Sequence, residues 1–329
     1  MTAYSAFLGI DIAKATFEVA LLLDQQRHER RFSNNADGFE RLQRWLESHS
    51  AAPVHACLEA TGRYGDSLAG YLHQAGHGVS VVNPAQIKAY GQSKLQRGKS
   101  DHLDARLIAD FCRRQSPSLW HPPVPAQREL RELVRRLDDL QQIQQQETNR
   151  LKAGQTSATV LNDLQAGLVD LKQRIMVFSK AITTHLQAHP QLHHAYRLLC
   201  TIPGIGHLTA ARLLAEIPDI RAFPSAKHLA AFIGLTPSEY TSGTSVHRRA
   251  RISNKGNATL RAHLYWPAIS AMRHNPVVAC MAQRLRQAGK PGLVIITAAM
   301  HKLVNLAFGV LKSNCPFDPA IPFKSSLAS

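Results

Sequence analysis

Acidic residues and paired cysteines are what this sequence has least of. Against 39 Lys plus Arg stand only 23 Asp plus Glu, a formal net charge of +16 at pH 7. A surplus of that size is most simply met by a polyanion. The five cysteines (Cys57, Cys112, Cys200, Cys280, Cys315) are scattered, odd in number and never spaced as CxxC. That excludes a disulfide framework and a cysteine-rich zinc site, and the thiols read as reduced and mostly buried. The 17 histidines are dispersed, without an H-x3-H pair near a suitable cysteine or carboxylate. No apolar stretch reaches the roughly 18 residues of a membrane span, and Met1 to Ala6 lack the basic-then-apolar opening of a signal peptide. What remains is a basic cytoplasmic protein whose 329 residues leave room for two domains with a helical spacer.

The first third alternates between two periodicities. Phe7 to Asp11, Phe17 to Leu23, Val54 to Leu58 and Val79 to Val82 read as buried strands, the last closed by Asn83-Pro84. Ala36 to His49, with Phe39, Leu42, Trp45 and Leu46 at helical spacing, and Tyr64 to Ala75 read as helices. A further helix follows Lys99 as far as Gln115, with Ser100 or Asp101 as its cap. Strand–helix alternation predicts an α/β layered domain with a partly parallel sheet. After the Pro-rich link at 121–125, Gly and Pro nearly vanish from Ala126 to Ala188. Leu130, Leu133, Leu137, Leu140 and Leu161, Leu164, Leu168, Leu171 recur at three and four, predicting long amphipathic helices broken near Gly154 to Thr159. Beyond Tyr196 the chain reads as short helices: Leu198 to Ile202, Leu208 to Ile217, Leu264 to Met272, Pro276 to Ala288 and Gly292 to Leu311. Trp45 and Trp266 read as core.

Against the basic background, a few carboxylates are placed distinctively. Asp11 ends an apolar strand in Gly9-Ile10-Asp11-Ile12-Ala13-Lys14, and Glu59 ends another in Cys57-Leu58-Glu59-Ala60-Thr61-Gly62. Asp101 and Asp104 stand at i and i+3 in Lys99-Ser100-Asp101-His102-Leu103-Asp104, one turn apart on a helix. A carboxylate directly after a buried strand sits at the sheet edge where open α/β sheets place their sites. Four carboxylates gathered there repel one another unless cations sit between them. Hard divalent ions take oxygen ligands, so the set matches a two-metal phosphodiester site using Mg²⁺ or Mn²⁺. Asp66 and Asp110 are weaker candidates, Asp110 facing away from the site.

These motifs resemble the RuvC-like domain of the DEDD insertion-sequence transposases, the Piv-invertase-like group of bridge-RNA-guided serine recombinases. The resemblance covers nearly the whole chain. It implies an RNase H-like catalytic domain (1–120), a long-helix coiled-coil oligomerisation region (121–192), a mostly α-helical C-terminal transposase domain (193–313) and a loose tail (314–329).

Two further segments join the pattern. Pro203-Gly204-Ile205-Gly206 between helical runs is either a plain helix–helix turn or the hairpin of a helix-hairpin-helix module, whose backbone N–H groups hold phosphate without reading sequence. Thr241-Ser242-Gly243-Thr244-Ser245 runs into His247, Arg248, Arg249, Arg251, Lys255 and Arg261. On composition this is an ordinary flexible loop beside a basic stretch. The resemblance extends from Gly234-Leu235-Thr236-Pro237 to Leu260-Arg261 and implies a serine nucleophile forming a covalent phosphoserine with DNA: Ser242, with Ser245 as the alternative. Lys14, Arg63, Lys99, Gly204 and Gly206 complete the expected nucleic-acid contacts. The resemblance further implies donor and target DNA, a non-coding guide RNA, a homo-oligomer (dimer or tetramer), and action on the bacterial nucleoid. Rival readings are a hydrolytic RuvC-type nuclease without a covalent intermediate, an actin-like or sugar-kinase ATPase, which lacks its second phosphate loop here, and a non-catalytic nucleic-acid scaffold.

Overall fold

In this computed structural model the chain divides into two compact units, Met1–Pro122 and Pro123–Ser329. The described residues are 4–320, apart from 25, 50–52, 61–62, 95–100, 123, 155–156, 218, 243–245 and 253–255. For 63, 101–103, 221, 237–242 and 246–251 the description covers the backbone alone.

The first unit is built on β1 (Ala6–Ile12), β2 (Thr16–Leu23), β3 (Gln26–Ser33), α1 (Ala36–Ser48), β4 (His55–Glu59), α2 (Asp66–Gln74), β5 (Gly78–Val82), α3 (Pro84–Ser93) and α4 (Asp101–Gln115). The sheet order is β3-β2-β1-β4-β5. β1, β2 and β3 pair antiparallel, and β1, β4 and β5 parallel, so the sheet is mixed. Alternation along the strands sends one set of side chains to each face. Leu8, Ile10, Phe17, Val19 and Leu21 pack with Phe39, Leu42, Trp45 and Leu46 of α1 and Leu68 and Leu72 of α2. On the opposite face Cys57 and Val82 pack with Ile87 of α3 and Ile108, Phe111 and Cys112 of α4. A cap starts α1, where the Asn35 side chain accepts from Gly38 N at 2.9 Å.

Two elements of this unit were not foreseen. β3 carries almost no apolar alternation; it forms as an edge strand because β2 offers it a row of backbone groups, with Phe32 its buried anchor. α3 begins where Asn83-Pro84 had been expected only to close a strand. Asn83 caps the helix by accepting from Ala85 N at 2.9 Å, and Pro84 takes the first helical position.

The second unit opens with α5 (Pro125–Lys152) and α6 (Ala158–Ala188), followed by α7 (Pro190–Cys200), α8 (His207–Glu216), α9 (Ala226–Ile233), β6 (Pro237–Ser242), β7 (Val246–Ile252), α10 (Ala258–His263), α11 (Tyr265–His274), α12 (Pro276–Gln287) and α13 (Gly292–Ser313). α5 and α6 run antiparallel: the connection lies at one end, and at the other His185 Nε2 meets Ala126 O at 2.7 Å. Their heptad-spaced leucines Leu130, Leu137, Leu140, Leu164 and Leu171 are buried. The first half of α5 is tied to the end of α8, where Gln127 Nε2 donates to Leu214 O at 2.9 Å and to Ile217 O at 2.5 Å.

Three expectations require correction. α13 is long and apolar enough to cross a membrane by length and composition, with a mean hydropathy of 1.7 over its best window. Its Ala299, Met300, Leu303, Val304 and Ala307 are instead buried in the helical core. Trp266 is 73% exposed, since α11 turns Ala268 and Ala271 inward and Trp266 lies on the other side. Of the cysteines only Cys57 and Cys112 are buried; Cys200 is half-buried, and Cys280 and Cys315 are exposed.

Candidate active site

Register determines which side chains can meet at the sheet edge. Gly9 pairs with Ala20 on β2 and with Cys57 on β4. A Cβ on Gly9 would lie 2.1 Å from the Ala105 carbonyl oxygen, so this face is the one α4 covers, and only glycine admits the helix that closely. Residues two further along share the face. Asp11 and Glu18 are directly opposed across β1 and β2. Because Ile10 pairs with Leu58, the next residues, Asp11 and Glu59, stand side by side where two parallel strands end.

The direction of α4 completes the edge. Its C-terminal half reaches the start of β4, where the Cys112 thiol donates to His55 O at 3.4 Å. Ala105 and Ala109 rest on Gly9 in the middle of β1. The first turn, with Asp101 and Asp104, therefore arrives at the end where Asp11 and Glu59 stand. Asp11, Glu59 and Asp104 are each half-buried. The Asp101 side chain lies outside the description. Among the described residues no three His, Cys, Asp or Glu side chains close around a point as ion ligands would. The described candidate donors at this edge, Asp11, Glu59 and Asp104, are carboxylates, which suits a hard divalent cation.

Glu18 was missed by sequence reasoning. It is 5% exposed, opposite Asp11, and paired with Arg31 Nε at 3.2 Å. Its signal was one acidic residue inside an otherwise apolar strand, mirrored with Asp11 across the hairpin turn. Lys14 is exposed at that turn, which Asn34 braces by donating to Ala13 O and Tyr64 O, each at 3.1 Å. Asp110 is committed elsewhere: it accepts from Tyr90 Oη at 2.7 Å, Arg114 Nε at 2.9 Å and Lys94 Nζ at 3.0 Å. Burial favours its neutral form, but those donors outweigh it and hold the carboxyl well below the usual range. The Cys112 thiol is pushed up by hydrogen bonding with Cys57 and by burial, which leaves it unreactive.

In the second unit, the stretches on either side of 243–245 form two antiparallel strands, β6 and β7, and the Gly243-Thr244-Ser245 part of the expected loop lies outside the described residues. Ser242 pairs with Val246, Thr241 with His247 and Tyr240 with Arg248, so Ser242 is the last paired residue of β6. The side chains of Ser242, His247, Arg248, Arg249 and Arg251 are outside the description, as is that of Arg63; Ser245, Lys99 and Lys255 lie wholly outside it. Arg261 Nη1 donates to Ile233 O at 3.1 Å, closing the end of α9. Gly204 has φ +103° and packs against Ala271, whereas Gly206 is exposed and precedes α8. Gly256 at φ +110° approaches the backbone of Gly234, and Asn257 caps α10 and donates to Glu216 Oε2 at 3.2 Å. The Gly-Asn step thus braces α10 against α9.

Comparison with known proteins identifies the family. Residues 8–156 match the family profile for transposases of the DEDD IS110 type, and residues 196–282 match one described as transposase IS116/IS110/IS902 family. The chain is 34% identical over 318 residues to the pilin gene-inverting protein of Moraxella bovis, covering 96% of this chain and 98% of that one. It is 27% identical over 217 residues to an uncharacterised 43.6 kDa protein of insertion element IS110 from Streptomyces coelicolor, covering 66% of this chain and 51% of that one. With the transposase for insertion sequence element IS1111A of Coxiella burnetii it shares 25% identity over 223 residues, 60% of each chain. A mixed-sheet unit with an acidic edge, followed by a helical unit and joined to these matches, defines a DNA transposase of the site-specific recombinase class. Within that class the chain belongs to the DEDD IS110-type transposase family.

Proposed function

We propose that this transposase cuts and rejoins DNA through a covalent phosphoserine. Asp11, Glu59, Asp101 and Asp104 hold Mg²⁺, or Mn²⁺, at the edge of an RNase H-like domain (1–120), and Ser242 is the nucleophile, with Ser245 as the alternative. The observation that carries the reading is the adjacency of Asp11 and Glu59 at the ends of parallel strands, facing the first turn of α4. When bound, the cation supplies positive charge against the phosphodiester oxygens. The carboxylates orient it and exclude softer metals. Ser242 Oγ bonds to phosphorus as the P–O bond to the departing sugar breaks, and the serine proton ends on that sugar hydroxyl. Attack by the hydroxyl of the incoming strand reverses the exchange and frees the serine, so no external energy source is required. His247, Arg248, Arg249 and Arg251 hold the phosphate and its developing charge.

The α5–α6 region (121–192) serves as a coiled-coil oligomerisation element, making a dimer or tetramer. The C-terminal transposase domain (193–313) uses the turn at Gly204 and Gly206 as a helix-hairpin-helix phosphate contact. A non-coding guide RNA selects donor and target DNA, in the bacterial cytoplasm.

The test incubates the protein with Mg²⁺ and labelled junction DNA, with and without the element's non-coding RNA, and scores an SDS-resistant DNA–protein adduct. An adduct lost in Asp11→Ala and Ser242→Ala supports the joint mechanism, and RNA dependence supports guidance. Cleavage without an adduct, untouched by Ser242→Ala and Ser245→Ala, leaves a hydrolytic nuclease. Metal binding is read separately, as a Mg²⁺-dependent rise in melting temperature that Asp11→Ala with Glu59→Ala abolishes.

A further inference from the structure

A cleft of about 250 Å³ in the first unit takes no part in the chemistry above. It is lined by Arg30 of β3 and by Arg41, Arg44, Trp45 and Ser48 of α1. The α1 residues stand at i, i+3, i+4 and i+7, one face of the helix. Three guanidiniums from two elements thus line one small cavity.

The two faces of β3 treat their arginines differently. On the α4 face, Arg31 pairs with Glu18 at 3.2 Å, Arg27 with Glu29 at 3.0 Å, and Arg106 with the same Glu29. On the α1 face, Arg30 and Arg44 make no ion pair among the described residues, and Arg30 instead lies over the Phe32 ring at 5.5 Å. Arg41 has Asp37 alone, at 3.9 Å between two exposed side chains, an interaction of little strength. The neighbouring His28 and His49 rings, 4.3 Å apart, bring no negative charge. Guarding an edge strand against aggregation takes a charge on the strand itself. It does not call for two more arginines on the helix behind it, converging on the same cavity. Like charges so gathered repel until an anion sits among them. The planar forks of arginine match phosphate oxygens.

We infer that this cleft grips the sugar–phosphate backbone of duplex DNA flanking the cleavage site. Arg30 is in register with Val19, and Val19 with Ile10, the residue before Asp11. Two strand spacings, about 10 Å, separate β3 from the strand that ends in the acidic edge. The arginines lie on the α1 face of the sheet and Asp11 on the α4 face, so the grip is on duplex beyond the reacting phosphate and not at it. The contact is blind to sequence, since it reads phosphate and not base edges. It rests on the protein's action on DNA and not on the identity of the nucleophile.

The test measures binding of the full chain to a labelled duplex of about 30 base pairs across roughly 50–200 mM salt, without divalent ions. Each lost phosphate contact lowers the slope of log K against log salt by about 0.9. Arg30→Ala with Arg41→Ala and Arg44→Ala should reduce the slope by about 2 to 3 and weaken binding at least about tenfold at the low-salt end. The triple lysine variant, which keeps the charge, should retain most of the slope. Arg44→Glu, a single exposed substitution that spares the fold, should lower the slope by at least about 1. Unchanged slope and affinity in both the triple alanine variant and Arg44→Glu would overturn the proposal. A loss confined to single-stranded RNA of equal length would overturn the assignment to DNA. Cleavage is not scored, so the outcome is independent of whether Ser242 attacks.

Discussion

Replacing Gly9 by alanine probes the packing on which the acidic edge depends. The added Cβ would sit 2.1 Å from Ala105 O and 2.2 Å from Ala109 N. A carbon–oxygen contact is comfortable only beyond about 3.3 Å, so α4 must retreat by about 1 Å. Both opposing atoms are backbone, and no rotamer change relieves them. Overpacking of this kind costs about 1–3 kcal/mol, and the rigidity of the neighbours puts this site at the upper end. For a domain of this size, that is a fall in the melting temperature of the first unit of about 5–15 °C. The functional effect should exceed the loss of stability. Asp104 is one residue from Ala105, and a misplacement near 1 Å costs about 100-fold in rate. Melting curves and strand-transfer assays on the same preparation give both numbers. Gly70→Ala is the control: nothing lies within 4 Å of a Cβ there, inside α2, so a neutral or slightly stabilising change is expected. Wild-type melting together with wild-type strand transfer in Gly9→Ala would refute the close-approach argument.

Two other perturbations have definite signs. His55 and His77 titrate below the ordinary imidazole value, both because burial disfavours charge, with Glu47 partly opposing this at His77. His77 Nδ1 accepts from Val54 N–H at 3.2 Å while Nε2 meets Gln43 Oε1 at 3.0 Å, so a second ring proton would face a donor. The unfolded chain binds these protons more readily, so the stability due to neutral imidazoles is present above about pH 6.5 and declines as pH falls below it. His77→Gln should flatten that acid limb in melting curves taken from pH 8 to pH 5; an unchanged limb would count against the neutral assignment. Gln127→Ala removes a buried amide that satisfies Leu214 O and Ile217 O at the end of α8, and should destabilise the second unit by about 1–3 kcal/mol in urea unfolding, with an unchanged m-value.

Much of this fold was legible in local pattern. β1, β2, β4, β5, α1 and the two long helices follow from apolar residues recurring at two, or at three and four, because burial of one face is what those periods encode. Candidate carboxylates were legible too: one Asp after a strand is more often a turn or cap, but two carboxylates at strand ends with a pair one helical turn apart make a set. β3 was not legible: its residues are polar, and what makes them a strand is the free edge of β2, a partner no window of sequence contains. The pairing of β6 with β7 was hidden for the same reason, its residues reading as a mixed and then a basic stretch without a strand pattern.

The sequence by itself determined the class of protein, a DNA transposase, and offered Asp11, Glu59, Asp101 and Asp104 as candidate carboxylates against a strongly basic balance, because residue type and motif spacing are local facts. Only the tertiary structure decided that Glu18 stands opposite Asp11, that Trp266 is exposed while α13 is core, and that Arg30, Arg41 and Arg44 line one cleft. Those are relations between distant segments. They depend on strand register and helix crossing, which are set by the packing of the whole unit and not by any stretch of its chain.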